Sequence, residues 1–295
     1  MTVTIGFIGL GRMGLPMARN LKTAGFSVIG FDLSEQAAQI FSDSGGTVGR
    51  SAEEVAREAD ILITMLPTGA IVRSVLLDAP GFANALKPGS IIIDMSSSAP
   101  TDTIALAARL KDKGLVLIDA PVSGGVAKAE TGTLAILVGG EAGVIENVRP
   151  VLDAMGASII HTGATGTAHC MKALNNFVSA AGLVAVSEAL HVGKRFGLQA
   201  ETIVEALNAS TGRNNTTERK ALVFMVPETY TSGFAMSLMA KDIGIAADLA
   251  RDLDMEVPEL ELMERMWRDA SQALGPHADH TAMHQFIADA TDRKS

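Results

Sequence analysis

Lys172 and Asn176 stand four residues apart in a stretch, Gly163 to Gly193, that contains no proline. On a helix that spacing puts both side chains on one face, one turn from each other. A lysine can give or take a proton and an asparagine can hold a hydroxyl or carboxylate, so the pair has the chemistry of a proton-transfer site. An ordinary solvated surface pair has the same spacing, and the letters alone do not choose between the two. A second candidate is Ser123-Gly124-Gly125, preceded by Asp119-Ala-Pro121-Val. Pro121 fixes the chain, and two glycines beside a serine hydroxyl expose backbone N–H groups suited to a carboxylate. A plain glycine turn reads the same way. The third is Gly9-Leu10-Gly11-Arg12-Met13-Gly14, with Asp32 following Gly14 by 18 residues.

Each candidate needs an element to position it. The apolar residues of Gly163–Gly193 run over more than one face, which predicts a helix buried on most sides. About 29 residues from Thr165 would span roughly 43 Å, enough to leave one domain and become the spine of another. Val3–Ile8 reads as a strand, followed at once by the glycine turn and a helix to about Ala24. In such a unit Gly9 makes the tight turn, Gly11 admits a pyrophosphate, and Gly14 packs helix on strand, while the helix N-terminus offers N–H groups to phosphate. Ser27–Phe31 is the second strand, and Asp32 closes it where an acid would bind the adenosine ribose hydroxyls. Asp32 would repel a 2′-phosphate, and neither Arg nor Lys stands at Leu33, Ser34 or Glu35. NAD is therefore expected rather than NADP. Asp32 could also cap a helix starting near Glu35.

The alternation continues with a helix over Ser51–Glu58, a strand over Asp60–Met65, a short helix over Ile71–Leu77 and a strand over Ser90–Met95. Then come a helix over Thr101–Lys113, strands over Leu115–Ile118, Ala135–Val138 and Ser158–His161, and a helix from Glu141 to about Met155. Ligands of such sheets bind beyond the carboxyl ends of the strands. Met65-Leu66-Pro67, Met95-Ser96-Ser97 and Asp119–Gly125 fall there. After Ala200 the pattern is helical throughout: Glu201–Ala209, Thr217–Leu222, Met236–Leu253, Pro258–Leu274 and His280–Ala290. The expected fold is α/β: an N-terminal Rossmann-type dinucleotide-binding domain over residues 1–163, an interdomain helix over 164–194, and an all-α C-terminal domain over 195–295. The second domain is expected to close a cleft over the first.

Composition excludes several classes. A net charge of −9 and a pI near 5.2 argue against a nucleic-acid surface. No apolar run free of charge reaches the ~18 residues of a membrane span, and no basic segment precedes Val3–Leu10 to make a signal peptide. Cys170 is the only cysteine, so it forms no internal disulfide, which suits a reducing cytoplasm. His277, His280 and His284 invite a metal reading, with His280 and His284 on one helix face. No carboxylate or cysteine motif completes a site, so no metal is expected. The only tyrosine, Tyr230, has Phe234 four residues on, so a Tyr-x-x-x-Lys pair is absent.

In order along the chain, Gly9–Gly14, Met65-Leu66-Pro67, Asp94-Met-Ser-Ser97, Asp119–Gly125, Lys172 with Asn175-Asn176, and Lys241-Asp242 resemble the β-hydroxyacid dehydrogenases. That family includes 3-hydroxyisobutyrate dehydrogenase and tartronate semialdehyde reductase, with 6-phosphogluconate dehydrogenase more distant. The resemblance runs from Val3 to about Ile287 and is closest to the 3-hydroxyisobutyrate branch. It implies that Lys172 is catalytic, that Ser123 and Gly124 hold the substrate carboxylate, to which the glycine-turn reading adds the Gly125 amide, and that Asn176 positions the substrate. It implies cofactor contacts at Gly9, Leu10, Gly11, Arg12, Met13, Gly14, Asp32, Met65, Leu66, Pro67, Ser97 and Lys241. The implied reaction is NAD-dependent oxidation of a small 3-hydroxy acid, or the reverse reduction. Alternatives on the same scaffold are a tartronate semialdehyde, glyoxylate or succinic semialdehyde type of reductase and, remotely, a non-enzymatic NAD-binding module. A free lysine near pKa 10.4 is a poor base, so Lys172 would need burial or neighbouring positive charge to act as one. The alanine- and methionine-rich helices suggest a homo-oligomer, a dimer or tetramer. Arg213, Asn214, Met236 and Met239 are the sequence candidates for a pocket around the substrate side chain.

Overall fold

The computed structural model describes residues 3–78 and 82–292; the outermost ends of the two expected domains, residues 1–2 and 293–295, lie outside the described residues. The chain divides into two compact units, Met1–Lys172 and Ala173–Ser295.

The first unit holds the strands β1 Thr4–Ile8, β2 Ser27–Phe31, β3 Thr47–Val48, β4 Ile61–Thr64, β5 Ile91–Asp94, β6 Val116–Asp119, β7 Val122–Ser123, β8 Leu134–Gly139 and β9 Gly156–Gly163. Its helices are α1 Gly14–Thr23, α2 Glu35–Asp43, α3 Ala52–Glu58, α4 Gly69–Arg73, α5 Phe82–Ala85, α6 Pro100–Lys111, α7 Gly125–Glu130 and α8 Ala142–Asp153. The strand order is β3-β2-β1-β4-β5-β6-β8-β7, with β9 on β8. From β3 to β6 every pairing is parallel, whereas β8 runs antiparallel to β6 and β7. Parallel strands are covered on both faces, and their residues alternate between two cores. In β4, Ile61 and Ile63 enter one apolar cluster and Leu62 the other; in β5, Ile93 and Ile92 divide the same way.

The strand and helix expectations fall where the structure has them, except that the helix expected over Thr217–Leu222 is broken at Lys220 between Asn215–Arg219 and a π-helical turn, Ala221–Met225, and except for three additions. Thr47–Val48, Phe82–Ala85 and Gly125–Glu130 are elements too short to show a period in the sequence. The Asp119–Gly125 segment, read as a loop, contains strand β7 and ends in the first residue of α7. The helix expected over Ile71–Leu77 starts at Gly69, capped by Thr68, and widens into a π-helical turn over Ser74–Asp78.

Helix α9, Thr167–Phe196, is 30 residues long and runs from the last residues of the first unit into the second. By length and composition alone it is long and apolar enough to cross a membrane, with mean hydropathy 1.3, although charged residues such as Lys172 and Glu188 interrupt it. In the structure Ala180, Leu183, Val184, Val186 and Leu190 of α9 lie in the apolar core of the second unit. That core is completed by α10 Ala200–Ala209, α11 Asn215–Arg219, a π-helical turn Ala221–Met225, α12 Met236–Asp252, α13 Pro258–Leu274, a short 3₁₀ turn His280–Ala282 and α14 Met283–Asp292. Trp267 is fully buried at its centre.

Three sequence expectations change here. Met236 and Met239 are core residues, 0% and 3% exposed, not pocket residues. Asn214 caps α11 in a reciprocal capping box with Thr217, and the exposed Arg213 faces Glu218 at 3.8 Å. His280 and His284 do not belong to one helix. His280 belongs to the 3₁₀ turn and His284 to α14, and both are buried; His284 stacks on His191 with ring centroids 4.2 Å apart.

Candidate active site

The glycine turn is built for a ligand that approaches the backbone. Gly9 has φ +99°, and a Cβ there would collide with the Met65 carbonyl; a Cβ on Gly14 would collide with the Gly9 carbonyl. Around Gly11 nothing lies within 4 Å of the added atom, so the middle glycine faces open space. Helix α1 begins with neither a side-chain cap nor an acidic residue in its first turn. The Leu15 amide donates to the Gly11 carbonyl at 3.0 Å, and no side chain among the described residues competes with an anion for the remaining N–H groups at this end. Asp32, at the end of β2, accepts from the Leu10 amide at 2.6 Å and the Ser34 amide at 2.8 Å. These bonds hold the acid beside the turn, and each carboxylate oxygen keeps a lone pair for a hydroxyl. The helix cap is Ser34, which accepts from the Ala37 amide, so Asp32 does not serve as the cap of α2. Leu10 is buried with only its backbone at the turn, Met13 packs partly on the core, and Arg12 is exposed. These residues fit a dinucleotide pyrophosphate and ribose.

The other candidate segments follow the same carboxyl edge of the sheet. Met65, Leu66 and Pro67 follow β4, Ser97 follows β5, and Ser123 ends β7 just before Gly124, whose φ is +134°. Beneath them lies a buried polar network that the sequence reading did not assign. Asp94, at the end of β5, accepts from Thr64 Oγ1 (2.9 Å), the Ser96 amide (3.0 Å) and Ser98 Oγ (3.1 Å). Ser96 Oγ accepts in turn from the Leu66 amide at 2.9 Å. Asp119, at the end of β6, accepts from the Gly166 amide at 2.6 Å and the His169 amide at 2.9 Å. It therefore satisfies the N-terminus of α9 from another element. His169 is fully buried, with Nδ1 2.8 Å from Thr103 Oγ1 and Nε2 3.1 Å from the Ser96 carbonyl. A carbonyl only accepts, so Nε2 carries a proton. These bonds fix the first turn of α9, and Lys172 lies three residues further along. The signal was present in the sequence as lone polar residues closing apolar strands.

Lys172 and Asn176 are both in α9, one turn apart; Lys172 is half-buried and Asn176 buried. Within the second unit, Asn176 Nδ2 donates to Asp242 Oδ2 at 2.6 Å, and Asn176 Oδ1 accepts from Asn175 at 3.2 Å. The other Asp242 oxygen lies 3.2 Å from the Lys241 ammonium. Asp242, which sequence reasoning passed over in favour of its neighbour, is thus the acceptor that holds the Asn176 carboxamide. A carboxylate can only accept, so it fixes which end of the Asn176 carboxamide faces it. Burial raises the Cys170 thiol above its usual value, with Asp119 adding to the effect, which disfavours the thiolate. Asp248 is exposed and paired with Arg251 at 2.6 Å, a solvated helix acid. Among the described residues no three His, Cys, Asp or Glu side chains group as a metal site.

Residues 4–163 match the family model described as the NAD binding domain of 6-phosphogluconate dehydrogenase. Residues 166–287 match that described as the NAD-binding domain of NADP-dependent 3-hydroxyisobutyrate dehydrogenase. The chain is 37% identical to the 2-(hydroxymethyl)glutarate dehydrogenase of Eubacterium barkeri, covering 93% of this chain and 91% of that protein. It is 35% identical to the mitochondrial 3-hydroxyisobutyrate dehydrogenase of Homo sapiens, covering 96% and 86%. A solved structure of Mycobacterium tuberculosis 3-hydroxyisobutyrate dehydrogenase with L-serine superposes with a TM-score of 0.91 at 35% identity, covering 97% of this chain and 99% of that one. The glycine turn, the dinucleotide-binding sheet and the α9 lysine–asparagine pair thus occur in a chain that belongs, over nearly its whole length, to the β-hydroxyacid dehydrogenase family.

Proposed function

We propose that this protein oxidises the hydroxyl of a small 3-hydroxy carboxylic acid with NAD, or runs the reverse reduction, on a 3-hydroxyisobutyrate-like substrate. The observation that carries the reading is the pairing on α9: Lys172 lies one turn from Asn176, whose carboxamide is held by the buried Asp242. A structural pair would not need a buried carboxylate to aim it. Family membership supplies the class of reaction, and relatives named for 3-hydroxyisobutyrate and 2-(hydroxymethyl)glutarate support the class of substrate.

Bound NAD supplies the hydride acceptor. In this reading the protein orients the substrate and moves one proton. Ser123 and the Gly124 and Gly125 amides hold the substrate carboxylate. Asn176 holds the reacting hydroxyl at a fixed distance, and Lys172 takes its proton in oxidation and returns it in reduction. Lys241, beside Asp242 on α12, is the candidate cofactor contact of the second unit, supported by family membership alone. The choice of NAD rests on Asp32 and on the absence of a basic residue at positions 33–35. A homo-oligomer is part of the proposal, supported by exposed apolar side chains along α9: Val178 at 66%, Val192 at 71% and Phe196 at 87%.

The test is nicotinamide absorbance with NAD and NADP across 3-hydroxyisobutyrate, 3-hydroxypropionate, glycerate, L-serine, threonate and 4-hydroxybutyrate. NAD reduction with a 3-hydroxy acid supports the reading. Silence with every acid, in a protein that still binds NADH, sinks it.

A further inference from the structure

Lys220 sits where α11 ends and the π-helical turn Ala221–Met225 begins, with φ −122° and ψ −41°. Its carbonyl accepts from the Phe224 amide at 2.8 Å and the Met225 amide at 3.3 Å. Widened turns of this kind are uncommon and concentrate at functional sites. The side chain is half-buried and runs to α9, where Nζ donates to Ser179 Oγ at 3.4 Å. Among the described residues that is the only hydrogen bond of its ammonium. A long bond to a neutral hydroxyl is poor compensation for lost water, and burial pulls the ammonium down to about 8.

The carboxylate that acts on it, Asp279, is not its partner. Asp279 is already filled by Ser232 Oγ (2.8 and 3.0 Å), the Gly233 amide (2.7 Å), the Thr281 amide (2.9 Å) and Thr281 Oγ1 (2.5 Å). Lys220 is therefore a partly desolvated cation that no structural ion pair explains. Its position is informative. Ser179 follows Asn176 by three residues, so Lys172, Asn176 and Ser179 form one stripe of α9, and Ser179 lies about 4.5 Å further along the axis.

We propose that Lys220 is a specificity residue that binds a second, distal carboxylate of the substrate, so that preferred substrates are 3-hydroxy acids carrying a further carboxylate on a short alkyl arm. This rests on the reaction proposed above. The distal group would take the place of the Ser179 bond and give the ammonium a charged partner. One lysine backed by Asp279 presents at most a single net charge, which matches a carboxylate and not a phosphate dianion.

The experiment uses the full-length enzyme with NAD and compares L-serine and 3-hydroxyisobutyrate with 2-(hydroxymethyl)glutarate and 2-(hydroxymethyl)succinate. The wild type is expected to favour the dicarboxylates at least about tenfold in kcat/KM. Lys220→Met should raise KM for the dicarboxylates by roughly 10- to 100-fold, with kcat changed by less than about threefold and the monocarboxylates unaffected. Lys220→Arg should restore most of the dicarboxylate KM. A wild type that oxidises the monocarboxylates and prefers them overturns this proposal and leaves the reaction standing. So does a Lys220→Met variant that shifts both classes alike. A wild type that oxidises none of the four overturns both. The wild-type ranking needs no variant, so it decides even if Lys220→Met does not fold.

Discussion

The Asn176 carboxamide donates to the Asp242 carboxylate at 2.6 Å, and both residues are buried. This bond joins α9 to α12 and sets the rotamer of the side chain that is one turn from Lys172. Asp242→Ala leaves the Asn176 amide without its acceptor and free to rotate. The expected result is a fall of about 10- to 100-fold in kcat and a loss of about 1–3 kcal/mol in stability. Asp242→Asn, which keeps an acceptor, should recover much of the stability and part of the rate. Steady-state kinetics beside urea denaturation of the two variants checks both halves; equal kinetics for Ala and wild type would remove Asp242 from the site.

Lys172→Ala should lower kcat by on the order of 10² or more, with NADH still bound. Fluorescence titration of NADH separates the two effects. Near-normal turnover in this variant would end the case for Lys172 as the proton carrier.

Asp32 has two jobs that one variant can separate. Its carboxylate holds the Leu10 and Ser34 amides, and in the proposed complex it also receives the ribose hydroxyls. Asp32→Asn keeps an acceptor but removes the charge. The KM for NAD is expected to rise about tenfold and the preference over NADP to narrow by a similar factor, since the repulsion of a 2′-phosphate is lost. Kinetics with both cofactors test this; an unchanged cofactor ratio would place the discrimination elsewhere.

Acid sensitivity has an identifiable source in the second unit. Burial holds His284 down to about 4, with His191 and Lys194 adding to the effect, and its Nδ1 has no hydrogen-bond partner among the described residues. The unfolded chain takes up this proton near pH 6.5 while the folded chain resists until about pH 4, so stability falls as pH drops through that window. The loss from this residue is at most about 3 kcal/mol. His280, also held down chiefly by burial, acts in the same direction. Asp279 is desolvated too, but hydrogen bonds from Thr281 and Ser232, with His280 Nδ1 3.6 Å away, keep it well below the carboxylate range. Its contribution is lost only below about pH 4, outside the histidine window. His284→Phe keeps a ring against His191 and removes the titration. Denaturation midpoints between pH 4.5 and 7.5 should slope less in this variant than in the wild type; parallel slopes would acquit His284.

Much of the site was legible because its residues sit at strand ends and in turns, where type and spacing carry the information. Gly9, Gly11, Gly14 and Asp32 are close in sequence and belong to one strand–turn–helix–strand unit. Lys172 and Asn176 are related by the helical repeat alone. Asp94, Asp119 and His169 were not legible as a group. Asp119 lies 50 residues from the His169 amide it caps, and Ser96 lies 73 from the His169 ring. No local pattern encodes such pairings. Asp242 was passed over for a similar reason, 66 residues from Asn176.

The sequence by itself determined the alternation of strands and helices, the glycine turn, the single long helix and the run of helices after it, because each follows from short-range periodicity and from backbone conformations only certain residues allow. Only the tertiary structure decided which polar groups meet. It turned Met236 and Met239 into core, set His280 and His284 in separate surroundings, gave Asn176 its carboxylate and sent Lys220 to α9. Burial and long-range hydrogen bonding are properties of the packed chain. A side chain's partner is settled only when elements distant in sequence exclude water from the same place.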